Sequence, residues 1–139
     1  MPTYSKRSQE QFDTLDPRLQ KVLSLILSDG FDHTITDGYR GEEAQNEAVA
    51  QGRSTKRFPS GEHNKLPSKA VDVLPYPIEY KALEKGDDLA VLKVGLFAGY
   101  FIARAKGLGI KIRWGGDWNM NMDVRDQKFN DWPHFEVED

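Results

Sequence analysis

The chain has 139 residues, the length of one compact domain, and roughly two-thirds of the unfolded surface can be buried at that size. It has no cysteine, which excludes disulfides, thiolate metal ligands and cysteine nucleophiles. With 19 Lys and Arg against 22 Asp and Glu, its net charge of -3 argues against a general phosphate-seeking surface, and no nucleic-acid partner is expected.

Met1 to Arg7 is polar with no apolar run behind it, so no secretory signal is expected and synthesis in a cytoplasm follows. Asp16 and Pro17 read as an N-cap followed by proline at the first helical position. Leu19, Val22, Leu23, Ile26 and Leu27 then form one apolar helical face, ended by Gly30. His33 to Thr36 is short and β-branched, and reads as a strand. Gly41 to Gln51 reads as a helix with Ala44, Ala48 and Val49 inward. Gln51 to Lys69 is rich in Gly, Ser, Pro, Lys and Arg, and is expected to be a long surface loop. Ala70 to Leu74 is a strand closed by Pro75 and Pro77. Asp88 to Lys106 is a long helix, apolar nearly all round and therefore expected at the centre of the fold. Lys93 and Arg104 interrupt its most apolar stretch, so no membrane span is expected. Ile110 to Trp114 and His134 to Val137 read as further strands. Helices early and midway, with short strands between them, indicate an α+β domain over residues 1–139.

The chain has three histidines, His33, His63 and His134. His63 stands in the polar loop ahead of Asp72, an acid inside the apolar strand Ala70-Val71-Asp72-Val73-Leu74. Desolvating an ion is expensive, so Asp72 needs a partner. The readings are a salt bridge, a place at the strand end, or a metal ligand. His134 lies in Asp131-Trp132-Pro133-His134-Phe135-Glu136, a segment that reads either as a turn before an edge strand or as part of a metal site. Two histidines and one aspartate supply three ligands to Zn²⁺ and leave a fourth position open, as catalytic zinc requires. Asp131 is then placed to act as general base. The helical motif His-Glu-x-x-His is absent.

Three blocks of residues resemble one family. The first is Thr36-Asp37-Gly38-Tyr39-Arg40-Gly41-Glu42-Glu43-Ala44-Gln45-Asn46, continuing to Gln51-Gly52-Arg53-Ser54. The second is His63 with Ala70-Val71-Asp72-Val73 and Pro75. The third is Arg113-Trp114-Gly115-Gly116-Asp117-Trp118 with Asp131 to Glu136. In this order they resemble the zinc peptidases of the D-Ala-D-Ala carboxypeptidase and L-alanyl-D-glutamate endopeptidase superfamily, above all its small phage endolysins. The resemblance implies a small antiparallel sheet packed with helices, with a zinc site in an open cleft. It implies His63, Asp72 and His134 as zinc ligands and Asp131 as the acid that moves protons. Arg40 is implied to bind and polarise substrate; the alternative is an ion pair with Asp37, Glu42 or Glu43. Eight residues, Asn64 to Val71, separate His63 from Asp72, two more than the family's usual spacing. Gly61 replaces its usual serine, and Glu62 is a competing ligand. Asp131 where other branches carry Glu favours the endolysin branch.

Asp117, Asn119, Asn121 and Asp123 alternate like the start of a calcium loop, which leaves a regulatory Ca²⁺ open beside a plain polar loop. Met122 and Lys128 stand where such a loop needs Gly and Glu. Trp114, Trp118 and Trp132 line a cleft or fill the core. The resemblance implies cleavage of the L-alanyl-D-glutamate bond in bacterial peptidoglycan stem peptides by a monomer. It implies synthesis in the host cytoplasm and action on the wall after release, as in host lysis by a bacteriophage. A D,D- or L,D-carboxypeptidase and a non-catalytic, metal-stabilised peptide-binding module are the alternatives.

Overall fold

The computed structural model describes residues 2–139. Helix α1 (Lys6–Phe12) opens on Ser5, whose side chain accepts from the Ser8 amide. Its sequence is nearly all polar, so no apolar periodicity announces it. Helix α2 (Pro17–Ser28) starts where expected, with Asp16 accepting from the Arg18 amide and Pro17 in the first turn. Strand β1 (His33–Asp37), helix α3 (Glu42–Ala50) and strand β2 (Ala70–Pro75) follow. A short helix α4 (Tyr80–Glu84), absent from the sequence expectation, precedes α5 (Asp88–Gly107). Strands β3 (Ile112–Gly115) and β4 (Asp131–Val137) complete the fold.

The four strands form one antiparallel sheet in the order β1-β2-β4-β3. Alternation along each strand divides the sheet into two faces. Val71, Val73, Phe135 and Val137 point into the core, where Leu19, Leu23 and Ile26 of α2 and Phe97 and Phe101 of α5 meet them. Phe101 stacks on Phe135 at 4.3 Å between ring centres. Asp72, His134 and Glu136, one position out of phase, belong to the other face.

Strand β4 lies inside the sheet, between β2 and β3, and is not an edge strand. It tolerates Pro133 because the register slips there: Trp114 pairs with Phe135, but Gly115 pairs with Asp131. A Cβ on Gly115 would overlap the Asp131 carbonyl, so glycine permits this close approach. Helix α5 is not central either. It covers the core face of the sheet on one side and leaves Leu89, Leu92 and Leu96 exposed on the other. In α3 the inward residues are Gln45 and Ala48, while Ala44 is exposed. Among the described residues no helix is long and apolar enough to cross a membrane.

Candidate active site

The loop from Gln51 to Lys69 is not wholly a surface segment. A single 3-10 turn, Glu62–Asn64, buries His63. His63 Nδ1–H donates to the Gly38 carbonyl at 2.7 Å. A carbonyl only accepts, so this bond leaves the lone pair on Nε2 and aims it inward. Register places Asp72 opposite His134 on neighbouring strands. Neutral His134 donates from Nε2 to Glu136 Oε1 at 2.7 Å, which leaves its lone pair on Nδ1.

Three electron-rich atoms therefore converge. His63 Nε2 lies 3.2 Å from Asp72 Oδ1 and 3.2 Å from His134 Nδ1, and His134 Nδ1 lies 3.5 Å from Asp72 Oδ1. In those tautomers neither nitrogen has a proton to share with the other, so the cluster calls for a cation. A tetrahedron with zinc bond lengths of 2.0–2.1 Å has edges of about 3.3–3.4 Å, close to the separations found. Two imidazoles and one carboxylate are also a donor set that zinc accepts. The residues fit the metal.

A second layer of side chains holds the three in place. Glu136, the support of His134, takes a further bond from Arg113 Nη2 at 2.9 Å. Arg40 is buried, with Nη2 3.2 Å from Asp72 Oδ2 and Nε 2.9 Å from Asp37 Oδ2. Its Nη1 donates to Gln45, and Gln45 also bonds Ser54, the Lys56 carbonyl and Asn64. Gln45 thus ties α3, the cleft loop and the His63 turn together. Glu42 and Glu43 take no part in the Arg40 ion pairs, and Glu62 turns to Lys65. Sequence reasoning did not assign these supporting roles to Gln45, Arg113, Gly38 or Glu136. The signal for Glu136 was its position two residues after His134, on the same face of one strand.

Asp131 Oδ2 lies 3.9 Å from His134 Nδ1, at the edge of the cluster. Burial pushes its carboxyl up to about 6, and the charge of Asp72 adds to the shift. Burial opposes the charge of Asp72 itself, but His63 and His134 outweigh it and hold that carboxyl well below the usual range. Burial likewise opposes a charged His134, yet Asp72 and Glu136 lift it to about 9. For Glu136, burial is outweighed by His134 and Arg113, which bring it to about 2. The site's negative field favours a positive charge at its centre, whether a proton or a metal.

The cluster opens on a cleft of about 310 Å³ between the Arg53–Lys56 loop and the rings of Trp118 and Phe129. Trp118 lies 5.3 Å from His134, and the Arg113 guanidinium lies over the Trp118 ring at 5.3 Å. Trp114 instead donates to the Trp132 carbonyl and packs beside Phe135.

The model of the phage L-alanyl-D-glutamate peptidase family matches residues 2–138. The chain belongs to this family. It is 35% identical over 130 residues to the L-alanyl-D-glutamate peptidase of Escherichia phage T5, covering 89% of this chain and 87% of that one. The fold is that of the L-Ala D-Glu endopeptidase ChiX of Serratia marcescens, with a TM-score of 0.67 at 24% identity over 97% of this chain and 89% of that one.

In the loop after β3 the acidic and amide side chains bond one another and nearby backbone amides. Asp117 accepts from the Asn121 and Met122 amides, Asn121 donates to Asp126, and Asp123 accepts from Arg125. Among the described residues the one gathering of convergent ligand atoms is His63, Asp72 and His134. The calcium expectation gains no support.

Proposed function

We propose that the chain is a zinc peptidase that hydrolyses the L-alanyl-D-glutamate bond of bacterial peptidoglycan stem peptides, with residues 1–139 forming one catalytic domain. Family membership supports the bond, and the convergence of His63 Nε2, Asp72 Oδ1 and His134 Nδ1 is the observation that carries the metal chemistry. These three residues would hold the ion. The chemistry zinc supplies when bound is Lewis acidity toward a carbonyl and a lowered pKa for water.

The chain's own groups do the rest. Asp131 takes the proton of the attacking water and passes it to the leaving amine. Its burial at the edge of the cluster favours proton uptake and so suits both tasks. Arg40 orients the substrate beside the scissile carbonyl, its guanidinium pre-set by Asp37, Asp72 and Gln45. Arg53 and Lys56 give the cleft wall positive charge, which suits a stem peptide carrying D-glutamate. In this reading the enzyme is a phage endolysin, made in the host cytoplasm and acting on the cell wall after release.

Digestion of purified peptidoglycan tests the proposal by end-group analysis. The expected product is a new D-glutamate amino terminus, formed with zinc and suppressed by a chelator. Release of terminal D-alanine instead would make the chain a carboxypeptidase. Binding without any new end group would make it a peptide-binding module.

A further inference from the structure

Helix α5 is apolar nearly all round, broken by Lys93 and Arg104, yet one side alone meets the core. Val94, Phe97, Ala98, Phe101 and Ala105 are buried, whereas Leu89, Leu92 and Leu96 are 76%, 67% and 62% exposed. At the helical period these leucines share a face with Gly95, Gly99 and Ala103, all exposed and opposite the buried set. Such an apolar face on a soluble domain marks a contact surface. Open space surrounds the position of a Cβ on Gly95 and on Gly99. No contact within the chain therefore requires glycine there, although glycine weakens a helix interior.

The two ends of this face carry opposite charge. Asp88 stands at its N-terminal end and Lys106 at its C-terminal end, both exposed. Neither joins an ion pair among the described residues.

We propose that this face is an interface between two copies of the chain, packed through antiparallel α5 helices. A two-fold axis crossing the helix near position 97 sets Asp88 against Lys106 of the second copy. It sets Gly95 against Gly99, with Leu92 beside the turn that carries Ala103, and each contact occurs twice. The glycines let the helix axes approach, so that the leucine ridges of each copy enter the shallow groove of the other. Parallel packing would oppose Asp88 to Asp88, so charge selects the antiparallel arrangement. Charge also disfavours an anionic lipid surface, because the exposed Glu84, Asp87 and Asp88 outnumber Lys81 and Lys85 in the segment leading into Leu89 and Leu92. The active cleft lies on the other face of the sheet and stays open in such a dimer. A helix of 20 residues is about 30 Å long. Contact along one helix falls short of the about 800 Å² per partner of a standard interface, so the dimer is weak and concentration-dependent. The monomer expected from the sequence is the opposing outcome of its test, and the proposal stands independently of the peptidase reading.

Sedimentation of the full chain from low micromolar to near-millimolar concentration tests it. The expected result is a mass rising toward twice that of the chain. Leu92→Glu and Asp88→Lys should each raise the dissociation constant at least about tenfold, through a buried charge and through like-charge opposition. The double variant Asp88→Lys/Lys106→Asp should restore association. All these positions are exposed, and circular dichroism verifies that each variant folds. A monomer at every concentration, or a dimer indifferent to Leu92→Glu, overturns the proposal. So does a monomer whose Leu92-dependent binding is to phosphatidylglycerol vesicles.

Discussion

Asp131 carries the most specific claim at the scale of a single residue. It is near enough to the ligand cluster to exchange a proton there, but at 3.9 Å from His134 Nδ1 it makes no hydrogen bond that would consume its carboxylate. Asp131→Asn should keep zinc and the thermal midpoint while turnover falls at least about a hundredfold, the lower bound for losing a general acid-base. Turnover on purified peptidoglycan, measured beside zinc content, decides the matter. A loss below tenfold with full zinc would assign proton transfer to another group. Glu136 makes a contrasting prediction because it acts through His134. Glu136→Gln keeps the shape but exchanges a charged acceptor for a neutral one and weakens the hold on Arg113. Zinc affinity should fall about 10–100-fold, the range for loss of a ligand's supporting partner. Competition with a chromogenic chelator measures this, and turnover at saturating zinc should recover far more than in Asp131→Asn.

At the scale of elements, the sheet is the device that assembles the site. One strand face supplies core and the other supplies chemistry, so Asp72 and His134 owe their pairing to register between β2 and β4. The edge strand β1 is secured by His33, which accepts from the Tyr4 hydroxyl at Nε2 and donates from Nδ1 to the Phe31 carbonyl. The bond from Tyr4 requires the neutral ring, whereas the bond to Phe31 survives protonation; burial outweighs the latter and lowers the His33 pKa below 6.5. The unfolded chain therefore takes up the proton first as the pH falls. The His33 contribution is complete above about pH 6.5 and declines as pH drops from there toward the folded-state value. Denaturant unfolding of the wild type and of His33→Gln, both in chelator, gives the difference. That difference should be flat above neutrality and should shrink on acidification; a flat difference throughout would mean that His33 does not titrate differently on folding.

For the whole molecule, the proposed ligands come from a loop turn and two strands, and only folding unites them. A metal that binds this arrangement and not the unfolded chain stabilises the fold, by about 2.7 kcal/mol at a free concentration of 100 times the dissociation constant. Saturating zinc should raise the thermal midpoint of the wild type, and a chelator should reverse the rise. His134→Ala should lose the response, since two remaining ligands bind poorly. Calorimetry of the two proteins with and without zinc checks it, and an equal rise in both would place the stabilising ion elsewhere.

Much of this was legible in the chain because its signals are local. The Asp16-Pro17 cap and the face of Leu19, Val22, Leu23 and Ile26 define α2 from adjacent residues. The run Ala70 to Leu74 defines β2, and an acid inside it announces a functional position. The three blocks name His63, Asp72 and His134 by residue type and order. What stayed hidden depends on partners distant in sequence. Helix α1 is too polar to show a period. The inward turn of Gln45 reflects a polar cleft beside α3 in place of the core. Strand β4 lies inside the sheet because a register slip at Gly115 accommodates Pro133, which local propensity excludes from such a place. Helix α5 reads as central because periodicity counts apolar residues around an axis and does not tell which of them the chain itself will cover. Helical and strand patterns follow from steric preferences between near neighbours, whereas tautomer, charge and burial follow from atoms brought together across the sheet.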